Sequence, residues 1–361
     1  MRLVQLKADN FRSFQTLSLP ITGRLNFFYG ANAAGKTTLL ESLYCLSRGK
    51  SFRGSSPQEL AGAAGRHWSL FARFERQDQA PDQVGLGWTT EGSEIRLNGQ
   101  AATTLDLVQR FPVQILEPGM HRMLQDGPTY RRGFLDWGVF HVEHGFMESW
   151  RRYRRALRQR NQALRRQAPD RELSVWEPEL SETGQQLHAY REQHLSAIGP
   201  AVAAKIVALL GSEGAWSFDL HPGWSGEDGL AAALARHRDR DRRMGMTLDG
   251  PHRAELRIRA GDHAIRNRIS RGQQKLLIAA LLLAQCDLIH ARTGAAPLLL
   301  VDDFSAELAA AFQRSLYGQL QAYPGQILIT GFEPTGLFDD LEAGAMFHVE
   351  HGQIRPISRR V

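Results

Sequence analysis

Cysteine is scarce in this sequence, and its scarcity excludes two kinds of site. Only Cys45 and Cys286 occur among 361 residues, and both lie in apolar segments with helical spacing. Two distant cysteines form neither a disulfide framework nor a metal-binding cluster, so they indicate buried free thiols in a reducing compartment. We therefore expect a cytoplasmic protein.

Long apolar runs are lacking as well. We find no run of about 18 apolar residues, so we expect no transmembrane helix and no membrane partner. The first seven residues alternate apolar and polar side chains, which is typical of a strand and not of a signal peptide. The chain is 42% hydrophobic and 23% charged, a composition typical of globular proteins, and it is long enough for two lobes.

Lysine is the third scarce residue, yet the chain is basic. It contains five lysines, and its net charge of +6 and pI near 9.6 come almost entirely from arginine. A high arginine content can partly reflect the base composition of a gene, so it is weak support by itself. A basic chain nevertheless favours a polyanionic partner, and nucleic acid is the commonest.

Residues 30–37, Gly-Ala-Asn-Ala-Ala-Gly-Lys-Thr, match the P-loop pattern G-x-x-x-x-G-K-[ST]. An apolar strand pattern precedes them and a helical pattern follows, so backbone N–H groups at a helix N-terminus would face an anion. Lys36 would contact the β- and γ-phosphates of ATP, and the Thr37 hydroxyl would hold Mg²⁺. A chance match in a tight turn is the alternative, which the strand–helix context disfavours. The predicted nucleotide contacts are Gly30, Ala31, Asn32, Ala33, Ala34, Gly35, Lys36, Thr37 and Thr38.

Two aspartates follow the apolar residues 297–301. This pattern predicts a buried parallel strand that places carboxylates at the C-terminal edge of a sheet. Beside a P-loop, Asp302 is expected to supply a second Mg²⁺ contact opposite Thr37. Asp303 could orient or activate the attacking water. The alternative for this pair is a helix cap beside a strand.

A second candidate anion site begins a long helical pattern at Ser270. In the segment Ile-Ser-Arg-Gly-Gln-Gln, Ser270 would cap the helix and Gly272 would permit a close backbone approach. The P-loop with Lys36 already accounts for phosphate binding in its own copy, so this second anion site needs another nucleotide. We therefore predict that two copies sandwich the nucleotides, each supplying its P-loop and the other's Ser270 and Gly272.

Two basic segments are candidates for nucleic-acid contact. The loop 48–54 combines three cations with glycine and Phe52, so it is either a solvated loop or a DNA contact through Lys50 and Arg53. Eight arginines fall within 151–166 of a helical segment, and a second helical stretch follows over 180–210, with Pro200 as a predicted break. We favour an anion-binding face over a solvated helix face. The candidate DNA contacts are Lys50, Arg53, Arg151, Arg155 and Arg158.

The segment Ser270–Gln274 resembles the signature motif of ABC-type ATPases. With the P-loop and residues 130–136, 250–253 and 299–304, it resembles the RecF family, SMC-like heads without a long coiled coil. The resemblance runs from the first strand to nearly the last. It implies an α/β fold: an ABC/SMC-type P-loop ATPase head with an inserted, mostly helical arm. The expected divisions are 1–118 for the N-terminal half of the head, 119–248 for the arm and 249–361 for the C-terminal half.

The resemblance also implies a function and several residue roles. It implies a weak DNA-dependent ATPase that dimerises on ATP, binds duplex and gapped DNA, and works with RecR and RecO to load RecA. These activities belong to recombinational repair, replication-fork maintenance and the SOS response. Gln114 would match the Q-loop, which senses Mg²⁺ and the γ-phosphate and contributes to catalysis, and Gln273 would belong to the nucleotide-binding signature. Arg12, otherwise a solvated loop residue, would match an N-terminal arginine that contacts nucleotide, and residues 305–308 would match the D-loop.

Four positions depart from the family pattern, and three rival functions remain. Ala33 and Ala34 replace Gly-Ser, Gly331 stands where transporter ATPases carry a switch histidine, and Ala309 replaces the D-loop aspartate. One rival is a full SMC or repair-exonuclease head, although only roughly 230 residues separate the P-loop from the signature, without sustained heptads. The others are a transporter ATPase subunit and a DNA clamp in which ATP is only structural.

Overall fold

A computed structural model describes residues 1–63, 65–76, 79–211, 216–261, 263–265, 269–333, 338 and 344–357. The strands are, in chain order, β1 (Arg2–Phe11), β2 (Phe14–Pro20), β3 (Leu25–Tyr29), β4 (His67–Glu75), β5 (Asp82–Thr89), β6 (Gly92–Leu97), β7 (Gln100–Ala101), β8 (Val113–Leu116), β9 (Trp216–His221), β10 (Glu255–Ala260), β11 (His263–Ala264), β12 (Leu298–Val301), β13 (Ile327–Gly331), β14 (Gly344–Glu350) and β15 (Gln353–Ile357). The helices are α1 (Lys36–Arg48), α2 (Thr104–Arg110), α3 (Arg122–Gln125), α4 (Pro128–Val142), α5 (Phe146–Arg165), α6 (Asp170–Leu173), α7 (Glu177–Leu210), α8 (Gly229–Arg236), α9 (Arg238–Met244), α10 (Arg271–Thr293) and α11 (Ala310–Ala322).

A mostly parallel sheet carries the P-loop. Its strand order is β15-β14-β3-β13-β12-β8, and every pair except the β14–β15 hairpin is parallel. All four residues of β12 are buried, as expected for a strand that is covered on both faces. Because neighbouring strands run in the same direction, the residues after β3, β8, β12 and β13 meet at one edge.

A second, antiparallel sheet has the order β2-β1-β4-β5-β6-β7. Its strands alternate buried and exposed residues, as in β4, which has one face on the core. Asn98 and Gly99 form the turn between β6 and β7: both have positive φ, 52° and 82°, which a two-residue hairpin of type I′ requires.

Helix α1 lies in the core that these two sheets share. Its buried Leu39, Leu40, Leu43 and Leu46 belong to one apolar cluster with residues of both sheets. The α/β fold class is therefore confirmed, with two sheets around the P-loop helix.

The chain divides into two compact units. Unit 1 comprises Met1–Met120, Ala208–Leu210 and Arg271–Val361, and unit 2 comprises His121–Val207 and Gly211–Ser270. The predicted boundary at 248 differs from the division at Ser270. The reason is that β10 pairs antiparallel with β9 along its whole length, which keeps it in unit 2.

Unit 2 is mostly helical and contains a buried charged network. Arg160 on α5 is fully buried, and its guanidinium donates to Asp241, Glu177 and Thr247. The predicted break at Pro200 was wrong, since α7 continues through it from Glu177 to Leu210. Pro200 lies on an exposed part of the helix, where the helix loses one backbone bond without burying an unpaired carbonyl.

Two helices are long and apolar enough to cross a membrane by length and composition alone, α7 and α10. The apolar window of α10 is 67% buried within the protein, as in the core helix of a globular domain, and that of α7 is 33% buried. This is weak support for a membrane span, so the absence of one stays a prediction.

Candidate nucleotide site

The loop between β3 and α1 has the backbone geometry that its residues predict. A Cβ on Gly30 would lie 2.1 Å from the backbone oxygen of Val349, so only glycine fits there. Ala33 adopts a left-handed conformation with φ 64°, which costs an L-residue about 1–2 kcal/mol. Alanine in place of glycine at this position therefore adds backbone strain, which contacts elsewhere in the fold must offset.

Lys36, the first residue of α1, folds back over its own loop. Its Nζ donates to the backbone oxygens of Gly30 and Ala31, at 2.6 Å and 2.8 Å. Partial burial lowers the pKa of Lys36, while the nearby carboxylates of Asp303 and Asp302 oppose that shift. The amine is thus held at the mouth of the loop, where a phosphate would replace the carbonyls.

Thr37 and Asp302 meet as predicted. The Thr37 hydroxyl lies 3.1 Å from both carboxylate oxygens of Asp302, and Thr330 donates to the same carboxylate at 2.7 Å. Burial raises the pKa of Asp302, and the hydrogen bonds from Thr330 and Thr37 oppose that shift. Carboxylate and hydroxyl oxygens are the hard ligands that Mg²⁺ takes beside phosphates, so this pair fits the ion.

Asp303 follows at the same sheet edge in a left-handed conformation, with φ 52°. Its backbone N–H donates to Thr330 at 2.9 Å, and its backbone oxygen accepts from Lys275 at 2.8 Å. Lys275 also donates to the backbone oxygens of Phe304 and Ala306. A lysine of α10 thereby fixes the turn that carries Asp303, a role that the sequence did not predict.

One cleft of about 650 Å³ in unit 1 collects these groups. It is lined by Arg12, Ser13, Asn32, Ala33, Gly35, Lys36, Thr37, Thr38, Phe52, Arg53, Glu117, Pro118, Asp302, Asp303 and Thr330. Most of the predicted loop residues line it. Gly30, Ala31 and Ala34 do not line it.

Arg12 lines the cleft and is ion-paired, although part of its side chain is exposed. Its guanidinium makes a two-bond ion pair with Glu41 on α1, at 3.1 Å and 2.9 Å, and also donates to the backbone oxygen of Glu59. Glu41 is fully buried. Sequence reasoning missed Glu41 because a glutamate in a helix after a P-loop carries no signal of its own.

Arg53 also lines the cleft, although the sequence predicted it as a DNA contact. It lies close enough to Asp302 to oppose the rise in that carboxyl's pKa. The loop after α1 turns back at Ser51, whose hydroxyl accepts from the Arg53 N–H at 2.9 Å. This position favours a nucleotide role for Arg53, whereas Lys50 on the same loop is exposed.

Gln114 does not line the cleft. It is buried in β8, and its side-chain amide donates to Gln285 at 3.3 Å. It pairs in register with Leu299, three residues before Asp302, which places it about 10 Å below the sheet edge at roughly 3.3 Å per residue. Glu117, which follows β8, is the acid that lines the cleft from this strand.

The signature residues lie at the start of α10. Ser270 is exposed, and a Cβ on Gly272 would lie 2.8 Å from the backbone oxygen of Glu307, so glycine permits the D-loop to pack there. Gly272 and half-buried Gln273 belong to unit 1, yet neither lines the cleft of the P-loop. Within unit 1, the structure therefore does not bring Gly272 and Gln273 to the P-loop.

Seven of the eight arginines in 151–166 fall into two sets, and the eighth, Arg165, is exposed at the end of α5. Arg152, Arg160 and Arg166 form ion pairs with acids. The exposed arginine stripe consists of Arg151, Arg154, Arg155 and Arg158. Their spacing of three and four residues places them on one helix face. The three predicted contacts on α5, Arg151, Arg155 and Arg158, all lie on this stripe, and Arg154 was not among the predicted contacts.

A P-loop that opens a helix, an aspartate pair on a neighbouring parallel strand and a Ser-Arg-Gly-Gln motif on a later helix together define a P-loop ATPase head of the ABC/SMC class. The family model described as RecF/RecN/SMC N terminal domain matches residues 2–354. The chain belongs to the RecF family of DNA replication and repair proteins.

Relatives and solved structures agree with this assignment. The DNA replication and repair protein RecF of Edwardsiella ictaluri (strain 93-146) is 38% identical over 361 residues, covering 98% of this chain and 99% of the relative. That of Stutzerimonas stutzeri (strain A1501) is 36% identical over 360 residues, covering 98% and 97%. The fold matches a structure of the recombination mediator protein RecF-ATP in the RecFOR pathway, with a TM-score of 0.87, 23% identity and coverage of 99% and 98%. It also matches an Smc head bound to ScpA, with a TM-score of 0.61, 14% identity and the same coverage.

Proposed function

We propose that this protein is an ATP-dependent DNA-binding protein of recombinational repair and replication-fork maintenance. It hydrolyses ATP slowly to ADP and phosphate, and DNA stimulates the reaction. The observation that carries this proposal is the meeting of Lys36, Thr37, Asp302 and Asp303 in one cleft. Membership of the RecF family gives the biological setting.

Each cleft residue has a role that its position supports. Lys36 leaves its loop carbonyls to hold the β- and γ-phosphates, and Arg12 and Arg53 add positive charge from the facing wall. Thr37 and Asp302 hold Mg²⁺, which would neutralise the phosphate charge. Asp303 or Glu117 orients the attacking water, and both carboxylates line the cleft. Gln114 would join the site only if its amide left Gln285.

The proposed ATP state is a dimer. Gly272 and Gln273 do not line the cleft of their own chain, and Ser270 beside them is exposed, which supports a role of this segment toward a second copy. Each copy would supply its P-loop to one nucleotide and its signature to the other. ATP would thus control whether two copies are held together on duplex or gapped DNA.

The exposed arginine stripe and Lys50 are the proposed DNA contacts. Exposed cations bind phosphates by releasing counterions. RecR, RecO and RecA are the proposed pathway partners. The motive is the family membership and the similarity to a structure described as belonging to the RecFOR pathway.

Removal of the P-loop lysine tests the proposed function. Lys36→Ala is expected to weaken binding of a fluorescent ATP analogue at least 10-fold, since the amine is the loop's phosphate ligand. Lys7→Ala removes an exposed lysine from β1 and serves as the control. Equal affinities in both variants would contradict nucleotide binding in this cleft. Phosphate release with and without DNA then separates the ATPase from a clamp in which ATP is only structural.

A further inference from the structure

We propose that Glu41 is a positioning residue that holds two arginines, Arg12 and Arg53, at the wall of the nucleotide cleft. Glu41 does not line the cleft itself, so it acts only through these side chains. The inference deepens the proposed function and rests on it, because it concerns the affinity of the cleft for a nucleoside triphosphate.

Glu41 is the buried centre of a small polar network. It lies one helical turn after Thr37 on α1 and has no exposed surface. Both of its carboxylate oxygens accept from Arg12, and the oxygen Oε1 also accepts from the Ser51 hydroxyl. One carboxylate on the P-loop helix therefore holds the β1–β2 turn and the loop after α1.

The first branch leads to Arg12. Its guanidinium is fixed in one plane by two parallel bonds to Glu41, and it also donates to the backbone oxygen of Glu59 and to the Ser55 hydroxyl. A two-bond ion pair of this kind fixes orientation as well as distance. Without the carboxylate, Arg12 would lose the contacts that direct it along the cleft wall.

The second branch leads to Arg53. The Ser51 hydroxyl donates to Glu41 and accepts from the backbone N–H of Arg53. Ser51 is thus a relay of two hydrogen bonds between the helix and the residue whose side chain faces the cleft. The loop after α1 turns back at residues 51–53, and Ser51 is the buried residue of this turn.

Positioning of this kind affects binding because long cations lose side-chain entropy when a phosphate orders them. An arginine that is already fixed in the free protein loses less side-chain entropy when the phosphate binds. A buried carboxylate also requires its partners, so the folded state favours the arginine orientation even before ATP arrives. The prediction is a cleft whose affinity depends on a residue that the nucleotide does not touch.

A double-mutant cycle on ATP affinity tests the first branch. Arg12→Ala and Glu41→Gln are each expected to weaken ATP-analogue binding about 10-fold, which corresponds to about 1.4 kcal/mol. The double variant is expected to bind within about 2-fold of Arg12→Ala, because Glu41 then has no arginine left to position. Additive losses, or an unchanged affinity in Glu41→Gln, would overturn the proposal.

Asp82→Asn is the matched control. Asp82 is also a buried carboxylate of unit 1 and pairs with Arg76 and Arg110, yet none of the three lines the cleft. Both carboxylate variants are expected to lower the unfolding temperature, and only Glu41→Gln should lower ATP affinity. Equal affinity losses in the two variants would assign Glu41 a structural role alone.

Ser51→Ala tests the link from Glu41 through Ser51 to Arg53. It also tests the proposal in the case that Glu41→Gln does not fold. It should weaken ATP binding in wild type but not in an Arg53→Ala background.

Lys36→Ala separates this proposal from the proposed function. If Lys36→Ala binds ATP normally, the cleft is not the nucleotide site. If it fails to bind while Glu41→Gln and Ser51→Ala bind normally, only the positioning proposal is wrong.

Discussion

Burial changes the proton affinity of two charged side chains beside the nucleotide cleft, in opposite directions. It raises the pKa of Asp302, since the charged carboxylate is the form that loses solvent. It lowers the pKa of Lys275 to about 8, while the carboxylates of Asp303, Glu307 and Asp302 oppose that shift. A bound Mg²⁺ would favour the charged form of Asp302, whereas Lys275 donates its hydrogen bonds to backbone oxygens.

Lys275 gives a prediction about pH. Its pKa in the folded protein, about 8, lies below its ordinary value of 10.5, so between these values the unfolded chain holds a proton that the folded chain lacks. The contribution of Lys275 to stability therefore rises as pH increases from about 8 to about 10. Lys275→Met removes both the charge and the three backbone bonds. The difference in urea unfolding free energy between wild type and this variant should grow over that range, and a difference that stays flat with pH would contradict the lowered pKa.

Single residues also show what the sequence could predict. The P-loop, Thr37 and Asp302 were predicted because each belongs to a short pattern with a known backbone geometry. Glu41, Lys275 and Glu117 were missed because their roles depend on contacts between distant segments. Gln114 shows the reverse, since its predicted role came from the family pattern, whereas its register with Leu299 places it below the cleft edge.

At the scale of elements, α7 contains a proline that does not end it. Pro200 cannot donate to the backbone oxygen of Ser196, so the helix lacks one bond at an exposed position. The helix tolerates the loss of this one hydrogen bond because it is 34 residues long and its other contacts stabilise it.

Pro200→Ala should stabilise unit 2. The restored hydrogen bond and the lost ring clash are worth about 3 kcal/mol, less up to about 1 kcal/mol for the extra freedom of the unfolded chain. Tryptophan fluorescence during urea unfolding is a suitable measurement, since five of the seven tryptophans lie in unit 2. The neighbouring Gly199→Ala, where an added Cβ meets no atom within 4 Å, should add only about 0.5–1 kcal/mol. A decrease for Pro200→Ala would show that the proline is required there.

Strand positions were predicted more closely than the limits of the units. The apolar run 297–301 predicted β12 because burial of both faces of a strand leaves a continuous apolar pattern in the sequence. The sequence has no comparable pattern at the boundary between the two units, which was predicted near residue 248. The pairing of β10 with β9 joins residues 255–260 to 216–221, and no local pattern distinguishes that partner from the strands of the head.

At the scale of the whole molecule, the distribution of charge matters more than its total. The net charge of +6 includes many arginines that acids of the same unit neutralise, Arg160 being the most buried. The exposed arginine stripe is the part of α5 that can act on a polyanion. Arg154 is held there by its stacking over Trp150, with 5.0 Å between the guanidinium and the ring centre.

The salt dependence of DNA binding tests the exposed arginine stripe. Each lost phosphate contact reduces the slope of log K against log salt by about 0.9, so replacing all four arginines by alanine should reduce it by about 3–4. Arg152→Ala with Arg166→Ala is the matched control, since both arginines lie in the same segment but have acidic partners. Equal slopes for the stripe variant and the control would exclude this face as the DNA contact.

The dimer is the last prediction, and it concerns the exposed position of Ser270. An arginine there would place a bulky cation where the second copy's nucleotide and P-loop are proposed to dock. Sedimentation with ATP and Mg²⁺, with and without gapped DNA, should show an ATP-dependent dimer for wild type and a monomer for Ser270→Arg. Ser93→Arg, at an exposed serine of β6, should dimerise like wild type. If wild type stayed monomeric even on DNA, the signature would have no partner to act on, and the protein would bind nucleotide and DNA as a single copy.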